Sequence, residues 1–190
     1  MLRSSSRKSA SPGRDQSPPD MNATTPRFGF LILFALIYVA FFALYHEVPD
    51  RLLAEVVYRW LINEPAAQAI ALLAPQEAVR VEGHRLLSPR VVLEIVRGCD
   101  GSGAFFLAAA AMLAFRARAV DKVLGVLAAF VLIFLLNEAR VVGLYFAVAY
   151  RPDWFTPLHS YIIPTLLVAA ICVQFVFWAR FATRRDLARD

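Results

Sequence analysis

Two cysteines in 190 residues cannot build a disulfide framework. Cys99 falls at the edge of one apolar run and Cys172 well inside another, so geometry also opposes a bridge between them. Charge is scarce as well: only 18% of residues are Asp, Glu, Lys or Arg, and these cluster between long apolar runs. That excludes an ordinary soluble domain. His46 and His84 show no ligand spacing near a cysteine or a carboxylate, which speaks against a metal site. No A-x-A-like site follows the first apolar run, so an uncleaved first span is expected rather than a signal peptide. There is no internal repeat.

What the chain does have is apolar length. Its hydrophobic content is 59% and its mean hydropathy +0.55, the pattern of a single-domain, multi-pass membrane protein. The lipid bilayer is therefore its first partner. The formal charge of +5 does not point to nucleic acid, because much of the excess sits beside candidate spans.

Residues 1–27 are rich in Ser, Pro and Arg and read as a disordered cytoplasmic tail. Phe28–Tyr45 is an uncharged run of 18 residues, long enough to cross a bilayer core. Pro49–Pro75 is amphipathic, with Leu52, Leu53, Val56, Val57, Trp60 and Leu61 at helical spacing, and is expected to lie on the outer face. Ala66–Leu73 is more apolar but too short to cross. Val79–Leu87 reads as a small hairpin turned at Gly83-His84, and Val91–Val96 as another strand leading to Cys99. Gly101–Phe115 is 15 uncharged residues, about 22 Å of helix and short for a span. Its Gly and Ala positions offer small faces for close packing. Val123–Leu136 crosses back to Asn137-Glu138-Ala139-Arg140. Apolar sequence then runs on to Tyr150, as a projecting helix or as a surface segment after a break. Thr156-Pro157 is a helix start, Thr as N-cap, and puts His159 in the first turn of the last span, Ser160–Ala179.

Residues 1–27, 116–122 and 180–190 together carry 12 Lys/Arg against 5 Asp/Glu, and the rest of the chain 8 against 10. Four spans with both termini inside satisfy the positive-inside rule. Cys99, Arg140 and His159 then meet at one outer face. The chain divides into the tail 1–27, a transmembrane domain 28–180 and a basic cytoplasmic tail 181–190. The fold class is all-α integral membrane, about four spans under a small extracytoplasmic helix and β-hairpin layer.

A thiol attacks a carbonyl as thiolate, so Cys99 needs a base or a positive field. His159, near a helix N-terminus, can accept the proton. Arg140 can stabilise an oxyanion or hold a carboxyl group, and Asn137, three residues earlier, can orient it. N–H groups of the Gly101–Gly103 turn can add oxyanion donors. Bland readings exist for each: a packing cysteine, a snorkelling arginine, a cap-region histidine. Cys172 reads as inert packing. Asp100-Gly101-Ser102-Gly103 also resembles the G-x-S-G of membrane serine proteases with its first glycine replaced, so a Ser102 nucleophile stays open. So does a non-catalytic membrane subunit of surface-polysaccharide assembly.

Three pieces occur in order: Gly98-Cys99-Asp100-Gly101 opening a span, Asn137-Glu138-Ala139-Arg140-Val141 late in the next helix, and His159 before the last. Over residues 75–180 this set resembles the exosortase/archaeosortase family of membrane cysteine transpeptidases. The short chain and the run through Trp154-Phe155 to His159 are most similar to its compact exosortase H type. The resemblance implies Cys99, Arg140 and His159 as the catalytic set. Gly101, Ser102 and Asn137 are expected in support from their positions beside these residues, and no cofactor or metal is expected. The resemblance implies secreted substrate proteins with a C-terminal motif, a transmembrane helix and a basic tail. It also implies a bacterial cytoplasmic membrane, with the active site on the extracytoplasmic face.

Overall fold

The computed structural model describes residues 25–187. Most of the expected tail 1–27 lies outside them, but its last residues are helical: α1 runs Thr25–Glu47. Its large side chains, Leu31, Ile32 and Leu36 among them, are exposed. An apolar helix with exposed apolar sides suits a lipid surround. A second helical run follows, as α2 (Asp50–Leu52), a π-helical stretch Leu53–Asn63, and α3 (Glu64–Leu73). Beyond a short turn come β1 (Arg80–Glu82), β2 (Arg85–Leu87) and β3 (Val92–Glu94). They form one antiparallel sheet in the order β1-β2-β3, with Val81 opposite Leu86 and Leu86 opposite Leu93. Gly83 takes φ +59 in the hairpin turn, a conformation glycine adopts without penalty.

The membrane part is α1 with α4 (Ser102–Ala114), α5 (Ala119–Tyr150) and α7 (Ile163–Leu187). Between α5 and α7 lie a 3-10 turn Pro152–Trp154, α6 (Phe155–Pro157) and a π-helical turn Leu158–Ile162. Three helical runs are long and apolar enough to cross a membrane, and α4 is a shorter apolar helix. α4 packs against α1, α5 and α7. Its buried face is Ala108, Ala109, Ala110 and Met112, small side chains that let neighbouring backbones approach. α5 and α7 meet even more tightly: a Cβ on Gly125 would come within 2.3 Å of the Trp178 indole. That indole donates to the Asp121 carbonyl at 2.8 Å.

Two cores result, and α5 belongs to both. Ala129 and Ile133 pack with Ala108, Met112, Ile171 and Trp178 inside the bundle. Val141 and Tyr145 pack with Leu53, Tyr58, Ile62, Ile70 and Leu86 in the outer layer. α5 is thus one unbroken helix of 32 residues, about 48 Å long. Its last turns stand above the bundle and carry the helix and sheet layer. Ile70 and Leu86 are fully buried there, and truncating either to Ala should cost about 2–5 kcal/mol.

The amphipathic stretch buries Leu53, Tyr58, Ile62 and Asn63 and leaves Leu52, Val56, Trp60 and Leu61 exposed, an apolar face of the kind a helix lying on a membrane presents. Its winding is π-helical, with i→i+5 bonding. Some other expectations need correction. The last helix begins at Phe155 rather than Pro157, and Thr156 makes no capping bond. It also continues to Leu187, so residues 181–187 of the basic C-terminal segment are helical. Cys172 is exposed on the outside of α7 rather than packed. Finally, the sheet sets His84 Nε2 2.7 Å from Glu94 Oε1, a carboxylate ten residues away that linear spacing did not reveal.

Candidate active site

The site lies where the two cores meet, at the turn between β3 and α4. Gly98 at φ +88 and Gly101 at φ +81 bracket Cys99 and Asp100. Both are left-handed positions that other residues occupy only with strain. Arg97 ties the turn to the end of α1. It donates to the carbonyls of Tyr45 at 2.7 Å and Val48 at 2.8 Å, and pairs with Asp50 at 2.5 Å. A guanidinium on the last carbonyls of a helix supplies acceptors with the donors they lack.

Asp100 fixes the other half of the turn. One carboxylate oxygen accepts the Ser102 hydroxyl at 2.8 Å and the Ser102 N–H at 3.2 Å. The N–H is one that a helix start leaves open. The other oxygen accepts the Tyr45 hydroxyl, which also lies 3.1 Å from the Tyr58 hydroxyl. Burial of the Tyr58 phenol raises its pKa first of all, which keeps it protonated. Asp100 is therefore engaged with α1 and α4, and Cys99 is left facing the opposite side of the turn.

There the Cys99 thiol meets His159: Sγ to Nε2 is 3.3 Å. Both residues are half-buried. The imidazole stacks on Phe155, one turn earlier, with centroids 5.2 Å apart and planes 20° from parallel. Arg140 lines the same small cleft, about 40 Å³, together with Leu93, Ile95, Leu144 and Phe155. That volume is small against a peptide segment, and Cys99 and His159 lie at its half-exposed edge. Arg140 has no ion-pair partner among the described residues. Its charge is therefore available to a developing anion beside the cysteine.

The three residues singled out from sequence thus come together from three elements: the β3–α4 turn, α5, and the π-helical turn before α7. The supporting residues sit differently from their expected roles. Asn137 is 3% exposed and packs on Gly101, and its Oδ1 has no partner among the described residues. No hydrogen bond joins it to Arg140. The Ser102 hydroxyl is committed to Asp100, and its N–H too, so that N–H is not a free oxyanion donor. Both Ser102 and Asn137 line a different, aromatic-walled cavity on the far side of the turn. Sequence reasoning missed Tyr45, Arg97 and the anchoring role of Asp100. Their contacts span about 50 residues of chain and leave no local signal. Phe155 was within reach, since an aromatic four residues before a histidine on a helix shares its face.

A family model described as transmembrane exosortase (Exosortase_EpsH) matches residues 23–178. The chain belongs to the transmembrane exosortase family. The match takes in α1, the helix and sheet layer, the cysteine turn, α4, α5 and most of the last helix, so Cys99 and His159 both lie inside the matched region. The family is one of membrane cysteine peptidases and transpeptidases. No curated protein and no solved structure matches the chain significantly.

Proposed function

We propose that this exosortase cleaves the C-terminal sorting tail of secreted proteins, with Cys99 as nucleophile. The observation that carries the reading is the 3.3 Å approach of Cys99 Sγ to His159 Nε2, beside an uncompensated Arg140. His159 takes the thiol proton, and the sulfur attacks the scissile carbonyl. The carbonyl oxygen becomes an oxyanion that Arg140 stabilises. Collapse of that intermediate breaks the C–N bond. His159 returns its proton to the leaving amine, and the tail departs with its membrane helix and basic end. A thioester remains on Cys99 until a second nucleophile resolves it.

Charge asymmetry along the chain supports a cytoplasmic membrane location with the Cys99 face outward. The serine reading has less behind it, because the Ser102 hydroxyl donates to Asp100 rather than to a base. The test is the C-terminus of secreted proteins made in cells carrying wild-type protein, Cys99→Ala or Ser102→Ala at equal membrane abundance. Cys99→Ala should leave tails uncut. Ser102→Ala should still cut, slowed about tenfold, the weight of one lost hydrogen bond. Normal cutting by Cys99→Ala removes the proposal.

A further inference from the structure

At the end of the bundle away from Cys99 there is an open groove of about 820 Å³, within the range of ligand-binding clefts. Phe30 and Leu33 of α1, Phe115 after α4 and Phe175 of α7 wall it, and Arg116 and Lys122 stand at its rim. Its cause is the brevity of α4. Thirteen residues rise about 20 Å, against a hydrocarbon core of about 30 Å. α1 and α7, at 23 and 25 residues, continue past its end and leave a gap between them. Phe115 and Arg116, just after α4, line that gap.

The charges at the rim are not neutralised from within. No carboxylate lines the groove among the described residues. The adjacent Asp121 is 2% exposed and committed to Arg185 at 2.9 Å. Lys122 donates to the Leu113 carbonyl at 2.7 Å, which fixes its ammonium in place and uses one of its three donors. Arg116 is exposed and makes no ion pair among the described residues.

We propose that this groove binds an anionic glycerophospholipid of the surrounding bilayer, its acyl chain against the aromatic walls and its phosphate on Arg116 and Lys122. Basic pockets between transmembrane helices take such head groups. Charge selects this occupant over the others. The segment 1–24 carries Arg3, Arg7, Lys8 and Arg14 against Asp15 and Asp20, a net of +2. A second copy of the chain would bring the same two cations, and a substrate's basic tail would bring more. Each sets cation against cation. The site is independent of the chemistry at Cys99.

Native mass spectrometry of the full-length protein in detergent, with phosphatidylglycerol or phosphatidylcholine of matched acyl chains, tests this. Wild type should retain the anionic lipid preferentially. Arg116→Gln/Lys122→Gln should lose that preference by about thirtyfold, at about fivefold per cation. Arg116→Gln alone, at an exposed side chain with no structural bond, should lose about fivefold and covers the case of a misfolded double variant. Arg118→Gln should retain the preference. A photoreactive acyl chain should crosslink Phe30, Leu33 or Phe175. Equal retention of both lipids, or an unchanged preference in Arg116→Gln, overturns the proposal. So does crosslinking of the groove to residues 1–24 or to a second copy.

Discussion

Gly101→Ala should damage the protein in two separable ways. The first is backbone strain. At φ +81 an L side chain crowds its own carbonyl, at about 1–2 kcal/mol. The second is contact: the new Cβ would lie 3.3 Å from Asn137 Cγ and 3.4 Å from its Cβ and Oδ1. Asn137 is buried on α5, so the crowding is shared between its side chain, which can shift toward the cavity it lines, and the turn that carries Cys99. A total loss of about 1.5–3 kcal/mol in stability is expected. Displacement of the sulfur by part of an ångström should slow processing by about 10- to 100-fold. Gly98→Ala is the control, with the same strain at φ +88 and open space around its Cβ. Adding Asn137→Ala should therefore relieve part of the Gly101→Ala defect and none of the Gly98→Ala defect. The coupling is expected at about 0.5–1 kcal/mol. Thermal unfolding in detergent gives the stability of each variant, and peptide-mapped N-ethylmaleimide alkylation reads Cys99, normalised to a cysteine-free peptide of the same digest. A Gly101→Ala protein as stable as wild type, or zero coupling to Asn137, refutes the packing argument.

Arg140→Lys should lose most processing although charge is kept, because a planar fork matches an oxyanion or carboxyl group better than a mobile ammonium; undiminished turnover at equal abundance reduces Arg140 to an anchor. Glu77 is buried under α5, accepting the Tyr150 hydroxyl at 2.5 Å and the Tyr145 hydroxyl at 2.9 Å. These bonds, Tyr150's first, hold its carboxyl below the ordinary range. A lowered folded pKa gives stability that is present above the unfolded value, near pH 4.3, and lost as pH falls through the folded one. Melting temperature should therefore drop in that acid window, and the drop should shrink in Glu77→Gln; an identical acid profile in the variant contradicts this. Reporter fusions in 116–122 and near Gly83 should report opposite sides of the membrane, the loop cytoplasmic. The same side for both would break the topology.

Much of this was legible because membrane patterning is strong. The spans, the hairpin at Gly83-His84 and the meeting of Cys99 with His159 follow from hydropathy, turn chemistry and charge asymmetry. What was illegible depends on long-range contact or on winding. Val123–Tyr150 reads equally as one helix or two until the outer layer packs on Val141 and Tyr145. The buried stripe Leu53, Tyr58, Ile62 is invisible at α-helical spacing. Asn137 shares a face with Arg140 in sequence, yet its side chain is claimed by Gly101. Asp100 reads as an oddity in the glycine turn, and only its contacts with Tyr45 and Ser102 make it an anchor.

The central claim is that Cys99, deprotonated by His159, becomes covalently joined to substrate. The most direct measurement is peptide-mapped mass spectrometry of protein purified from cells making substrate. The account predicts an acyl adduct on the Cys99 peptide, removed by neutral hydroxylamine as a thioester is, and absent in His159→Ala. An adduct on Ser102 that resists hydroxylamine, or cut substrate tails with no adduct dependence on His159, would contradict it.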